Sequence, residues 1–301
     1  FGYYLLVAAT GALLVSGFWS IVTETFDPST VRRHMGRIGT GATLGGLLGG
    51  VAATLAGRAF GAESLLLLLA TLHVVAALAV RGVGHGRTTG IPEPNAGLAA
   101  GWRVLRRHHY VRDLGLTVVV LTAGAACLDY VFKAIAQDHF GSTGARFDLV
   151  EFFGAFHTLA ALGTFLLQSV LAPPLLRHAG LARTLATLPA GIGLGAVTLL
   201  LLPMWPVAAA ARGLEAALRS SLFRSAYEPL YTPLAPQDKR VSKSLIDVGG
   251  ERLGDAIGAL TVQVLLLVLP VATPGGILHT ALLATTAITG VLGLVMAVRL
   301  H

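Results

Sequence analysis

The sequence predicts an all-α, polytopic membrane protein, and three observations predict it. Mean hydropathy is +0.73, and 54% of the residues are hydrophobic against 12% charged. Stretches of about 20 mostly apolar residues, the length a membrane span needs, recur along the whole chain. The basic residues gather in alternate loops, as membrane topology requires. A β-barrel is disfavoured, because the apolar runs are long and do not alternate.

Taken in order, the first span is expected at Tyr3–Phe26, ending on Asp27-Pro28, followed by a basic loop with Arg32, Arg33 and Arg37. The second, Gly39–Ala59, carries Gly41, Gly45 and Gly49 at four-residue spacing, a small face that lets helices approach closely. The third, Ser64–Val80, is rich in leucine and alanine. Glycine and two prolines make Arg81–Asn95 a connector. Gly97–Gly115 reads as a basic surface helix feeding a fourth span that runs to Gln137. The fifth span is Phe147–Leu171, ending at Pro173-Pro174, and the sixth is Thr184–Leu202. The seventh, Val207–Tyr227, stops at Pro229, Pro233 and Pro236; the eighth is Lys243–Val268 and the ninth Gly276–Arg299.

Nine spans fix an alternation of sides. One set of loops, those after residues 27, 81, 172 and 234 together with Arg299 at the end of the last span, holds nearly all the basic residues; the other set has only Arg58 and Arg146. The positive-inside rule places the first set in the cytoplasm and Phe1 outside, and the bacterial inner membrane is the expected location. The chain opens at Phe1 without methionine and reads as an internal piece of a longer protein. Transporters are commonly built from three-helix repeats, and the connector follows the third span. The expectation is a twelve-helix protein whose first three helices are absent here. Residues 1–80 would be the rest of an N-terminal half, 81–113 a cytoplasmic linker, and 114–301 a complete C-terminal half.

The net charge of +7 does not imply nucleic-acid binding, because the basic residues belong to membrane topology. The basic run Arg103–Arg112, with Trp102 and Tyr110, is expected on anionic lipid headgroups. Cys127 is the single cysteine and falls in a span, so there is neither a disulfide framework nor a cysteine metal cluster. GTGATLGG (Gly39–Gly46) lacks a preceding strand and departs from the dinucleotide fingerprint, and no GxxxxGK occurs. No catalytic triad or HExxH pattern is present, so neither an enzyme nor a cofactor is expected.

What does stand out is a charged hairpin, Arg212–Asp255. Two spans carry four arginines (212, 219, 224, 252) and five carboxylates (215, 228, 247, 251, 255). Ionisable groups at membrane depth are costly and face a bundle interior or a water-filled path. At about 1.5 Å per residue, Arg224 falls level with Asp247, Arg219 with Glu251, and Glu215 or Arg212 near Asp255. Glu215–Arg219 and Asp129–Lys133 have i,i+4 spacing. A fixed ladder of ion pairs and a substrate path both accommodate this pattern. His157, alone on an apolar helix, is expected to be packed or hydrogen-bonded, and Glu151 to be solvated at the outer end. Gly250, Gly254 and Gly258 form a second small-residue face.

The segment SLFRSAYEPLYTPLAPQDKRVSKSLIDVGGERLGDAIGA (Ser221–Ala259) resembles the ATP/ADP translocase family of obligate intracellular bacteria and plastids. Ser221, Leu222, Phe223, Glu228, Tyr231, Pro233, Leu234, Lys243, Asp247, Leu253 and Gly254 match that family's pattern. FWSIVTETF with GTGATLGGLLGG (Phe18–Gly50) and CLDYVFKAIAQ (Cys127–Gln137) are similar to further parts of it. The family places lysine before the glutamate, where this chain has Tyr227, and in that it is similar to free-living bacterial relatives, some joined to soluble domains. The resemblance implies a major-facilitator-type bundle and a nucleotide or other organic anion as substrate. The charges at membrane depth and the resemblance together lead to the expectation of cationic contacts from Lys133, Arg219, Arg224 and Arg252, with Asp129, Glu228 and Asp247 as gating or coupling carboxylates. The other expectation is a non-transporting membrane scaffold or sensor coupled to a fused or associated soluble regulatory domain.

Overall fold

The structure, a computed structural model, describes residues 28–61, 63–83, 98–141, 146–269 and 276–300, together with Gly11, Leu14 and Phe18. No strand occurs among the described residues. The helices are α1 (Pro28–Phe60), α2 (Ser64–Val83), α3 (Leu98–Arg107) and α4 (His109–Gly141). Next come α5 (Arg146–Leu166) and α6 (Ala172–His178), joined by a π-helical turn at Leu167–Leu171, then α7 (Gly180–Leu201). The charged hairpin is next in the chain. Its first arm is α8 (Trp205–Leu218), a π turn (Arg219–Phe223), α9 (Arg224–Tyr227) and a 3₁₀ turn (Glu228–Tyr231). Its second arm is α10 (Pro236–Ser244), a π turn (Leu245–Gly250) and α11 (Glu251–Val268); α12 (Ile277–Arg299) ends the chain.

Among the described residues four helical stretches are long and apolar enough to cross a membrane: His109–Gly141, Glu151–His178, Gly180–Leu201 and Ile277–Arg299. Leu44–Phe60 and Ser64–Ala79 are shorter apolar stretches. The hairpin arms are helical throughout the expected seventh and eighth spans but carry thirteen charged side chains between Arg212 and Asp255. Of the expected first span only Gly11, Leu14 and Phe18 are described, and the connector around Pro92 and Pro94 lies outside the described residues. Two boundaries differ from expectation. The segment with Arg32, Arg33 and Arg37 is helix rather than loop, because α1 begins at Pro28, and proline suits a first helical position. The eighth span starts at Pro236 rather than Lys243 for the same reason.

α4 is the axis of the bundle, packed by α11, α12, α8 and α5, while α12 also packs along α7. Small residues set these approaches. A Cβ on Gly254 would stand 2.7 Å from the Val119 carbonyl oxygen, and one on Gly258 would stand 2.8 Å from that of Ala123; Gly250 meets Val119 at an ordinary 3.7 Å. Gly41, Gly45 and Gly49 meet none of the described residues, so the expected small face of α1 makes no close approach among them. α1 instead meets α5 through Gly50, beside Thr158, and through Gly154, beside Thr54. At Gly290 on α12 a Cβ would lie 2.8 Å from both Cα and N of Gly193. Backbone cannot swing aside as a side chain can. Gly290→Val is therefore expected to cost about 1–3 kcal/mol, read as a fall in the melting temperature of detergent-purified protein; an unchanged melting temperature would show that α7 and α12 are not in contact there.

Among the described residues the interior holds two apolar clusters rather than one. The first gathers Leu114, Val118 and Leu121 with Leu222, Phe223, Tyr227, Tyr231 and Ile246. The second gathers Cys127, Leu128, Val131 and Phe132 with Phe156, Leu199, Ala211 and Leu282. On α4 the break between them falls after Leu121, and on α8 between Ala211 and Leu218. Outside, the surface is apolar: Leu201 is 75% exposed, Leu267 78% and Val298 70%, whereas Glu215 is 1% exposed. Charge inside and hydrocarbon outside is the arrangement a lipid solvent selects.

Candidate functional site

The charged side chains meet at the break between the two apolar clusters. Arg212, Glu215 and Arg219 are spaced by three and then four residues, which puts them on one face of the first hairpin arm. That face looks at α4. Arg212 donates from Nε to Asp129 Oδ1 at 3.0 Å and from Nη1 to Glu215. Arg219 donates from Nε to Glu215 Oε1 at 2.6 Å and from Nη2 to the Leu121 carbonyl at 3.1 Å, with Thr122 Oγ1 3.4 Å from its Nη1. Lys133 reaches Asp129 Oδ2 at 2.6 Å. The result is one continuous chain, Lys133–Asp129–Arg212–Glu215–Arg219, of three cations and two carboxylates.

A second cluster lies toward the end that holds α3 and α10, the end expected to be cytoplasmic. Lys243, 6% exposed, donates to Glu228 Oε1 and to Asp247 Oδ2, both at 3.1 Å. The Tyr227 hydroxyl donates to Asp247 Oδ1 at 2.5 Å and lies 2.6 Å from that of Tyr231. Arg224 approaches Glu228 at 3.7 Å. Two cations thus face two carboxylates, in a site closed by aromatic rings: Phe223 stacks on Tyr227 at 5.7 Å.

Between the two clusters is a small crevice lined by Val118, Arg219, Phe223, Arg224, Tyr227, Asp247 and Glu251. Both π turns of the hairpin border it, one carrying Arg219 and Phe223 and the other Asp247. A π turn inserts a residue into the helical repeat and recurs at functional sites in helices. Beside Gly249-Gly250 the second has a visible sequence cause; the first has none in the flanking residues. The turn at Leu167–Leu171 precedes Pro173-Pro174, whose missing N–H groups explain it. On α11, Arg252 pairs with Asp255 at 2.9 Å. Glu251 is within electrostatic reach of Arg219, Arg224 and Arg252, and Asp255 of Arg219 and Asp129. These charges therefore border one shared region.

The structure rearranges several expected partnerships. Asp247 is held by Lys243 and Tyr227, and Asp255 pairs with Arg252 rather than with Arg212, whereas the expected Glu215–Arg219 pair is present. Glu151 is not merely solvated but paired with Arg58 of α1. His157 is exposed, with its ring edge-on to Phe156 at 5.2 Å. Arg212, Glu215 and Lys243 join the candidate site residues; the sequence places the first two in the charged hairpin and matches the third to the translocase pattern. Lys243 has a local signal, since it stands four residues before Asp247. Among the described residues no group of histidine, cysteine and carboxylate side chains could hold a metal ion.

Comparison with known proteins adds three findings. A search of curated protein sequences returns no match. One solved structure, described as a bacterial homolog of the human lysosomal transporter Spinster in an inward-facing and unoccupied conformation, is similar to this chain. The TM-score is 0.43 at 15% identity, over 93% of this chain and 71% of that one. The sequence profile of the Major Facilitator Superfamily matches residues 1–238. That span takes in α1 to α9 and most of the charged residues at membrane depth, and on it the assignment rests: the chain is a multi-pass membrane protein that belongs to the Major Facilitator Superfamily.

Proposed function

We propose that this chain is a secondary transporter that carries an organic anion by alternating access, with a nucleotide as the candidate the family resemblance names. One observation carries the reading: the chain of three cations and two carboxylates from Lys133 to Arg219 lies within helices expected to span the membrane and remains partly open, the Lys133 side chain being 60% exposed. An exposed charge at membrane depth needs an aqueous path beside it. Arg219, Arg252 and Lys133 would supply contacts to the anion, with Arg224 at the crevice. Asp129, which shares Lys133 and Arg212, would respond to substrate by releasing one of them; Glu228 and Asp247 would close the cytoplasmic end. Secondary transporters place substrate sites near the bilayer midplane where repeats meet. The same reading places residues 1–80 in the N-terminal half and 114–301 in the C-terminal half of a twelve-helix protein in the bacterial inner membrane.

The test is uptake of labelled ATP, ADP and a panel of organic anions into proteoliposomes preloaded with unlabelled solute. Exchange above empty vesicles is expected, with Arg219→Ala and Asp129→Asn each slowing it at least about tenfold, the scale of one lost charge-assisted hydrogen bond. Unchanged rates in both variants would sink the site assignment. For nucleotides there is a sharper arm. Tyr227→Lys restores the cation of the translocase pattern and should raise ATP exchange if nucleotide is the substrate; no gain, with other anions still carried, points away from nucleotides.

A fixed scaffold is favoured by a different observation: Asp129, Glu215, Glu228 and Asp247 all already have cationic partners. It predicts folded protein, no exchange of any anion, and a soluble domain or partner complex bound to it.

A further inference from the structure

We propose that the outward face of α3 is a binding site for anionic phospholipid headgroups, and that the bound lipid seats α3 against the π turn that carries Asp247. The inference rests on membrane insertion and not on transport of any substrate.

The sequence of α3 is LAAGWRVLRR, without an acidic residue. At 3.6 residues per turn, Trp102, Arg106, Arg103 and Arg107 fall within an arc of about 140° on one side. All four are exposed. Gly101, Val104 and His108 occupy the opposite side, where Gly101 and Val104 are buried. The two sides have separate partners. A Cβ on Gly101 would lie 2.9 Å from Leu245 Cδ2 and 3.3 Å from Val241 Cγ1, so α3 rests on α10 and on the first residue of the Leu245–Gly250 turn. The outward side meets no protein partner across it among the described residues: the Arg106 guanidinium sits over the Trp102 ring of its own helix, 5.7 Å from the centroid.

Three arginines and a tryptophan on one arc suit the membrane interface. Tryptophan partitions at headgroup depth, and each arginine close to an anionic leaflet contributes a favourable term of its own. Charge complementarity fixes the occupant as phosphate-bearing lipid of net negative charge rather than a zwitterionic headgroup. Because the buried side of α3 presses on Leu245, lipid on the outer side holds down the turn from which Asp247 reaches Lys243 and Tyr227. Lipid composition would thereby stabilise the closed arrangement of the hairpin.

The experiment measures thermal unfolding of the full chain in mixed micelles titrated with phosphatidylglycerol or phosphatidylcholine. Phosphatidylglycerol should raise the melting temperature well beyond phosphatidylcholine at equal mole fraction. Arg103→Gln/Arg106→Gln/Arg107→Gln should raise the half-saturating lipid fraction about tenfold or more. Arg177→Gln/Arg183→Gln, in another basic turn, should not. Soluble glycerol phosphate should have no effect. Native mass spectrometry of the same variants supplies a readout independent of stability, with retained phosphatidylglycerol expected in the wild type and lost in the triple variant. Equal response to the two lipids, a triple variant that keeps its lipid, or glycerol phosphate matching the lipid would each overturn the proposal.

Discussion

Glu215→Leu should destabilise the protein by about 3–5 kcal/mol, the cost of removing one partner from a buried charge network. Glu215 is 1% exposed and is the acceptor shared by Arg212 and Arg219. Without it the two arginines are affected unequally. Arg212 keeps Asp129 at 3.0 Å, whereas Arg219 keeps hydrogen bonds only to the Leu121 carbonyl and the Thr122 hydroxyl, with Glu251 and Asp255 at longer range. The less compensated charge is therefore Arg219. Glu215→Leu/Arg219→Met should recover most of the loss, because replacing both partners of a buried pair with apolar groups is often close to neutral. Glu215→Leu/Arg212→Met should recover less, since it leaves Arg219 without its bonded carboxylate and strips Asp129 of its second cation. Melting curves of the three variants in detergent, followed by intrinsic tryptophan fluorescence, measure this. Equal recovery in the two doubles would mean that the network is not connected as described.

That asymmetry lies beyond the reach of residue order, and the reason is geometric. Hydropathy and loop charge locate spans because each property is summed over many residues, so the expected second to ninth spans coincide with helices even where their ends move. Pairing between helices depends on single side chains, and counting about 1.5 Å per residue from the hairpin tip assumes two straight, unbroken α-helices. Both arms contain a π turn at the level in question, Arg219–Phe223 and Leu245–Gly250, and each insertion rotates the helix beyond it. Depth counting also sees height and not azimuth. Arg212 turns toward α4 and finds Asp129, a residue 83 positions away, rather than Asp255. Where local spacing decides the contact, the sequence suffices: Asp129–Lys133 and Glu215–Arg219, both four residues apart, are paired at 2.6 Å. Lys243 shows the converse. By hydropathy a loop charge, it is an interior cation, because α10 begins at Pro236, well before the apolar run.

Lys243→Met is the second substitution with a large expected effect, again about 3–5 kcal/mol. It would leave Glu228 and Asp247 buried together without the cation that bridges them. Glu228 retains Arg224 at 3.7 Å, but Asp247 retains only the hydrogen bond from Tyr227. Neutralising Asp247 should thus rescue better than neutralising Glu228: Lys243→Met/Asp247→Asn is expected to melt close to wild type, and Lys243→Met/Glu228→Gln well below it. The rescued protein then separates structure from function. A carrier that alternates must open and re-form its cytoplasmic contacts in every cycle, and a ligand or mutation shifts that equilibrium only by its differential energy between the two states. In the double variant the cluster keeps Tyr227, Tyr231 and the approach of Arg224 to Glu228 but loses both ion pairs of Lys243, which on the proposed function distinguish closed from open. Exchange in proteoliposomes should then change several-fold although stability is restored, because the balance between the two states has moved. A stable double variant with a wild-type exchange rate would make the cluster a fixed brace. A stable variant with altered exchange would make it the contact that the transport cycle breaks.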